Sequence, residues 1–135
     1  MPKETLIKST SGIRGIVGHG LDATIVSDYA KAFGTFVKKG KVVVGRDSRP
    51  SGEMLKKAVL KGLSSVGIDV IYLGIVPTPT VEIAVKELKA VAGICITASH
   101  NPGEWNALKF FNKKGEFVTS LEFQQIEKLY NNKSF

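Results

Sequence analysis

A chain of 135 residues with 43% hydrophobic content is sized for one domain that buries roughly two-thirds of its surface, and its single cysteine excludes an internal disulfide. No apolar run is long enough to span a bilayer, and Met1-Pro2-Lys3-Glu4 lacks the apolar core of a secretory signal, so no membrane partner and a cytoplasmic location are expected. The net charge of +7 raises nucleic acid as a partner, but the only arginines, Arg14, Arg46 and Arg49, fall in glycine-containing loops, and no aromatics interleave with basic clusters. Arginine forks gathered at turns favour a small phosphorylated ligand over a nucleic-acid track.

In chain order the pattern alternates strand and helix. Thr5 to Lys8 reads as a short strand, followed by a Ser11-Gly12-Ile13-Arg14-Gly15 loop. Thr24 to Lys38 reads as a helix with Ile25, Tyr29, Phe33 and Val37 on one face and Gly40 beyond its end. Lys41 to Gly45 is a β-branched strand. Ser51 can cap a helix to about Val66, with Leu55, Ala58, Val59, Gly62, Leu63 and Val66 inward, and Gly67 suits its termination. Asp69 to Leu73 is the next strand. Pro79 fits the first turn of a third helix that buries Val81, Ala84, Val85 and Leu88.

Ala92 to Thr97 is an apolar strand with Cys95 inside it as a buried, inert thiol. Ala107 to Asn112 is another strand, and Phe110 to Phe117 could add an antiparallel edge. Thr119 and Glu122 have capping-box spacing for a last helix through Tyr130. This alternation argues for an α/β fold, a three-layer αβα sandwich with a mostly parallel mixed sheet.

The segment after the Ala92–Thr97 strand carries the chemistry. It ends in Ser99-His100-Asn101-Pro102, and ligands of α/β proteins bind beyond the carboxyl ends of strands. Ser99 stands where a nucleophile or phosphoryl carrier belongs, although a serine that only caps a turn is the plainer alternative. His100 directly follows and cannot fold back as a triad base, and there is no Gly-x-Ser-x-Gly elbow, so a Ser-His-Asp hydrolase is a poor fit. His100 either reaches a substrate or holds loop backbone. Asn101-Pro102 shapes the turn, and Trp105 either packs to anchor the loop or covers the site.

Thr97-Ala98-Ser99-His100-Asn101-Pro102 resembles the phosphoserine loop of the α-D-phosphohexomutases, which are the phosphoglucomutases, phosphomannomutases and phosphoglucosamine mutases. Ser9-Thr10-Ser11-Gly12-Ile13-Arg14-Gly15 resembles that family's opening loop, and Gly45-Arg46-Asp47-Ser48-Arg49 its Gly-Arg-Asp-x-Arg loop, in the expected order. Lys8-Ser9, where many members have Phe-Gly, and Ala107, where glycine is common, depart from the pattern. Thr97-Ala98 leans toward a phosphomannomutase or phosphoglucomutase over a bacterial phosphoglucosamine mutase.

The resemblance implies an N-terminal domain over residues 1–135 of a four-domain enzyme that interconverts hexose 1-phosphate and hexose 6-phosphate. Ser99 is then the phosphoryl carrier, with His100, Lys109 and Arg14 in the catalytic site. Ser11, Arg14 and Lys109 bind phosphate, and Arg46, Asp47 and Asn101 support the loop, while the part of Arg49 stays open. Magnesium is expected on the phosphoseryl oxygen of Ser99, with its other ligands outside this chain, and hexose 1,6-bisphosphate as activator and intermediate. The family's Asp-Gly-Asp-x-Asp-Arg metal loop and Gly-Glu-x-Ser-Gly sugar loop do not occur in this sequence, so the chain alone is expected to be inactive and to need the remaining domains as partners. A phosphoglucosamine mutase domain, or a stand-alone sugar-phosphate-binding module without turnover, are the alternatives.

Overall fold

The computed structural model describes residues 6–135, so Thr5 of the expected first strand lies outside the described residues. In chain order the elements are β1 (Ile7–Lys8), β2 (Gly12–Ile16), α1 (Ala23–Val37), β3 (Lys41–Arg46), α2 (Gly52–Ser65), β4 (Asp69–Ile75), α3 (Thr78–Glu87), β5 (Ala92–Ile96), β6 (Trp105–Phe111) and α4 (Ser120–Asn132). The strands form one sheet in the order β1-β2-β6-β5-β3-β4. Strands β4, β3 and β5 run parallel, whereas β5–β6, β6–β2 and β2–β1 are antiparallel. The fold is the expected α/β sandwich with a mixed sheet, and its antiparallel half is wider than the alternation of elements suggests.

Connection rules explain the layers. The chain steps from β3 outward to β4, then back across β3 to β5. Crossovers of one hand that travel in opposite directions put their helices on opposite faces. Accordingly α2 lies with α1 and α4 over Val42, Val44, Ile94, Ile96, Leu108 and Phe110, while α3 covers Val43, Cys95 and Phe111 on the other side. Neighbouring residues of a strand point to opposite faces, so Val42, Val43 and Val44 are all buried. On the first face Tyr29, Phe33, Phe110 and Phe123 pack in an aromatic row. On the second, the lone helix α3 lies close to β3 and β5. A Cβ at Gly45 would come 2.7 Å from the Val81 side chain, and one at Gly93 2.7 Å from Val85.

Several local expectations change. Of the expected Ser11 to Gly15 loop, Ser11 lies just before strand β2, and Gly12 to Gly15 belongs to that strand. Its glycine serves close strand approach rather than a turn, since a Cβ at Gly12 would sit 2.0 Å from the Leu108 carbonyl oxygen. Arg14 is therefore a strand residue. Helix α1 starts at Ala23 because Asp22 caps it, accepting the Ile25 N–H at 2.8 Å. Ser51 does not cap α2 with its hydroxyl, which instead accepts the Asn106 amide at 2.9 Å. Leu88 is 44% exposed at the end of α3 rather than buried. The Thr119–Glu122 capping box forms in both directions.

Candidate active site

Strands β3 and β5 are neighbours whose outgoing connections leave in opposite directions, one toward β4 and the other toward β6. Such a divergence opens a crevice beyond the strand ends. Here it separates the turn at residues 47–51 from the loop at residues 97–104. The two are stitched together across it. The Asp47 N–H donates to the Ile96 carbonyl at 3.1 Å. One oxygen of the Asp47 carboxylate accepts the Thr97 hydroxyl at 2.6 Å and the Arg49 Nε at 3.0 Å. The Thr97 hydroxyl in turn accepts the Ser99 N–H at 3.1 Å.

Ser99 has φ 54, in the left-handed region. The other non-glycine described residues with positive φ, Lys38, Lys89 and Lys133, lie at or just past helix C-terminal ends; Lys133 has the left-handed geometry that is routine there, whereas Lys38, with φ 76 and ψ −60, does not. Ser99 is at no helix end, and strained backbone of this kind marks functional loops. Its side chain is delivered into the open, where Lys109 Nζ donates to Ser99 Oγ.

Lys109 reaches it because of register. Residues Cys95, Lys109 and Gly12 pair across β5, β6 and β2 and share one face, as do Ala107 and Arg14 beside them. Helix α3 covers this face over Phe111 and Cys95. Beyond that cover, Arg14, Ala98, Ser99, His100, Asn101, Ala107 and Lys109 line an open depression of about 350 Å3. Among the described residues no carboxylate lines it. Among the described residues, Arg14 and His100 have no side-chain hydrogen bond or ion pair, which leaves an arginine and an imidazole for a ligand. Cys95, beneath the site, is fully buried, and burial pushes its thiol pKa up from the ordinary 9.0.

Of the expected site residues, the structure gathers Ser99, His100, Asn101, Lys109 and Arg14. Ser11 is outside the lining residues, and its carbonyl accepts the Phe110 N–H at 2.9 Å. Asn101 closes the loop's turn with its backbone N–H on the Ala98 carbonyl. Asp47 braces the loop. Arg46 does not. Its guanidinium donates to the Asp47 carbonyl and the Tyr72 hydroxyl, both at 3.1 Å, and pairs with Glu53 at 3.5 Å. The alternation of β3 turns Arg46 toward α2 and the edge strand. Arg49 takes the bracing part instead, donating to the carbonyls of Ser99 at 2.8 Å, Pro102 at 2.6 Å and Trp105 at 3.2 Å. Thr97, at the end of the expected apolar strand, links Asp47 to Ser99.

Magnesium finds no ready cage among the described residues. Among the described residues no group of three or more His, Cys, Asp or Glu converges. Asp47, the carboxylate hydrogen-bonded to the Ser99 loop, is already engaged by Thr97 and Arg49. The described residues also include no helix long and apolar enough to cross a membrane.

Comparison with known proteins identifies the family of this fold. The probable phosphoglucosamine mutase of Pyrococcus abyssi is 43% identical over 93% of this chain, which covers 28% of that protein. The phosphoglucosamine mutase of Alkaliphilus metalliredigens is also 43% identical, over 87% of the chain and 27% of its own length. A phosphoglucomutase/phosphomannomutase family protein of Burkholderia thailandensis superimposes with a TM-score of 0.84 at 31% identity, over 96% of this chain and 31% of that one. The chain thus spans between a quarter and a third of the length of these relatives. The model of phosphoglucomutase/phosphomannomutase α/β/α domain I matches residues 5–135, and the chain belongs to that family as its first domain.

Proposed function

We propose that this domain carries the phosphoryl group of a phosphohexomutase on Ser99. The observation that bears the proposal is the contact of Ser99 Oγ with Lys109 Nζ in a carboxylate-free depression beside Arg14. Phosphorylated Ser99 donates its phosphoryl group to a free hydroxyl of a hexose monophosphate. The resulting bisphosphate reorients, and its other phosphoryl group returns to Ser99, which completes the exchange between the 1- and 6-positions. The Lys109 ammonium offsets charge on the transferring group and stands where it can give or take the seryl proton. Arg14 binds phosphate oxygens through its fork, and His100 contacts the sugar phosphate from the loop tip.

Magnesium is assigned one ligand here, the phosphoryl oxygen on Ser99, with carboxylates supplied from outside this chain. When bound, it would neutralise phosphoryl charge. The relatives' names favour glucosamine phosphate as the hexose, against the lean toward mannose or glucose phosphates taken from Thr97-Ala98.

The test is transfer of radiolabelled phosphoryl from hexose 1,6-bisphosphate to the complete gene product, with peptide mapping and a comparison of glucosamine, mannose and glucose phosphates as acceptors. Label on Ser99, absent in Ser99→Ala, is the expected result. Sugar-phosphate binding without labelling, unchanged in Ser99→Ala, would establish a binding module in place of a carrier. The 135-residue chain by itself is expected to give no conversion of hexose 1-phosphate to hexose 6-phosphate, and measurable turnover by it would refute that expectation.

A further inference from the structure

We infer that Arg49 is a positioning residue that fixes Ser99 in its reactive conformation. The inference rests on the carrier role proposed for Ser99. Arg49 is not among the residues that line the depression, and its guanidinium nitrogens Nη1 and Nη2 grip backbone. Nη2 holds the Ser99 carbonyl at 2.8 Å, and Nη1 holds the carbonyls of Pro102 at 2.6 Å and Trp105 at 3.2 Å. The beginning and end of the loop are thereby tied to one planar group.

A second route runs from the same group to the other side of Ser99. Arg49 Nε holds Asp47, Asp47 holds the Thr97 hydroxyl, and that hydroxyl accepts the Ser99 N–H. Asp47 also accepts the Arg49 N–H at 3.1 Å, which locks the turn that presents the fork. Both peptide groups of a left-handed serine are thus fixed by one side chain that is only 12% exposed. A non-glycine residue keeps such a conformation only where its surroundings over-determine it. Lysine cannot copy the arrangement, because a single ammonium on a flexible stem lacks the rigid fork that spans several carbonyls.

The role predicts an effect on the chemical step rather than on binding. A serine oxygen displaced by about 1 Å costs on the order of 100-fold in rate. The experiment uses the complete gene product and its Arg49→Ala and Arg49→Lys variants, each confirmed as folded by thermal melting. It follows single-turnover transfer from radiolabelled hexose 1,6-bisphosphate to Ser99 across bisphosphate concentrations. Both variants should lose about 100-fold in maximal rate. Half-saturation should shift by no more than about threefold, because the lost interaction acts on the transition state. Free guanidinium, well below denaturing concentrations, should restore part of the Arg49→Ala rate by refilling the carbonyl fork, which a merely structural defect would not allow. If Arg49→Ala fails to fold, Arg49→Lys carries the same rate test.

Wild-type labelling with equally fast labelling of the variants overturns the role of Arg49 alone. A loss that tracks melting temperature and is indifferent to guanidinium also overturns it. Absence of label on wild-type Ser99 overturns the carrier reading and this inference with it.

Discussion

Strand β6 faces two environments within a few residues, and the contrast shows how this fold makes a site. On one side Asn106, Leu108 and Phe110 are fully buried under helices. On the other, Phe111 is covered by α3, while Lys109 and Ala107 are left beside Arg14 and the Ser99 loop. Three helices cover the first face, but α3 alone is too narrow for the second. The uncovered part gives cations somewhere to stand without the cost of burying charge. The same strand is therefore both wall of the core and floor of the site, and only alternation separates the two roles.

The largest expected effect comes from removing the proposed carrier. Ser99→Ala should abolish phosphoryl labelling, and phosphopeptide mapping of the complete gene product checks it. Next come paired substitutions on the two sides of β6. Leu108→Ala should cost about 2–5 kcal/mol in denaturant unfolding, because it empties a closed core position. Lys109→Ala should stay within about 0.5 kcal/mol of wild type. It should nonetheless weaken inorganic phosphate binding by about tenfold, as the loss of one charge-assisted bond does. If Lys109→Ala unfolds the domain as readily as Leu108→Ala, the two sides do not differ and the contrast fails.

Alkali tests the covered faces. Burial raises the Cys95 thiol above its ordinary 9.0, and burial with the nearby Glu127 carboxylate raises the Tyr29 phenol above its ordinary 10.0. The folded chain then keeps protons that the unfolded chain releases. The contribution of these two groups should be flat from pH 7 to about 9 and fall as pH rises beyond it, by at most about 1.4 kcal/mol per pH unit for each group. Unfolding midpoints across pH 7 to 11 check this. Cys95→Ala should lower stability at neutral pH but remove the first part of the alkaline decline.

How much of this was legible in the sequence follows the range of each interaction. Helix faces such as Leu55, Val59 and Leu63 and the Thr119–Glu122 box are local patterns, and periodicity reads them. The motif at Ser99 points to a loop beyond a strand end, and that loop follows β5. Strand β2 was hidden, because Gly12 and Gly15 look like turn residues until a neighbouring backbone is known to lie against them. Arg46 and Arg49 could not be told apart from Gly-Arg-Asp-Ser-Arg alone. The first is turned to Tyr72 and Glu53, and the second meets carbonyls some fifty positions away. Ser51 looked like a cap because its partner, Asn106, is equally remote.

The smallest predicted effect bears on the strain at Ser99. A left-handed conformation costs an L-residue about 1–2 kcal/mol, and glycine adopts it freely. Glycine also loses more chain freedom on folding, by about 0.5–1 kcal/mol, which offsets part of the relief. Ser99→Gly should therefore leave stability unchanged or raise it by up to about 1 kcal/mol, even as it removes the hydroxyl that Lys109 holds. Denaturant unfolding of Ser99→Gly beside Ser99→Ala isolates the term, because both lack the hydroxyl and only alanine keeps the Cβ. A glycine variant less stable than the alanine variant would mean that the Arg49–Asp47–Thr97 clasp does not hold Ser99 against a conformational preference. A more stable one places the chemistry and the strain on the same residue, on the uncovered face, where a lost kcal/mol does least harm to the core.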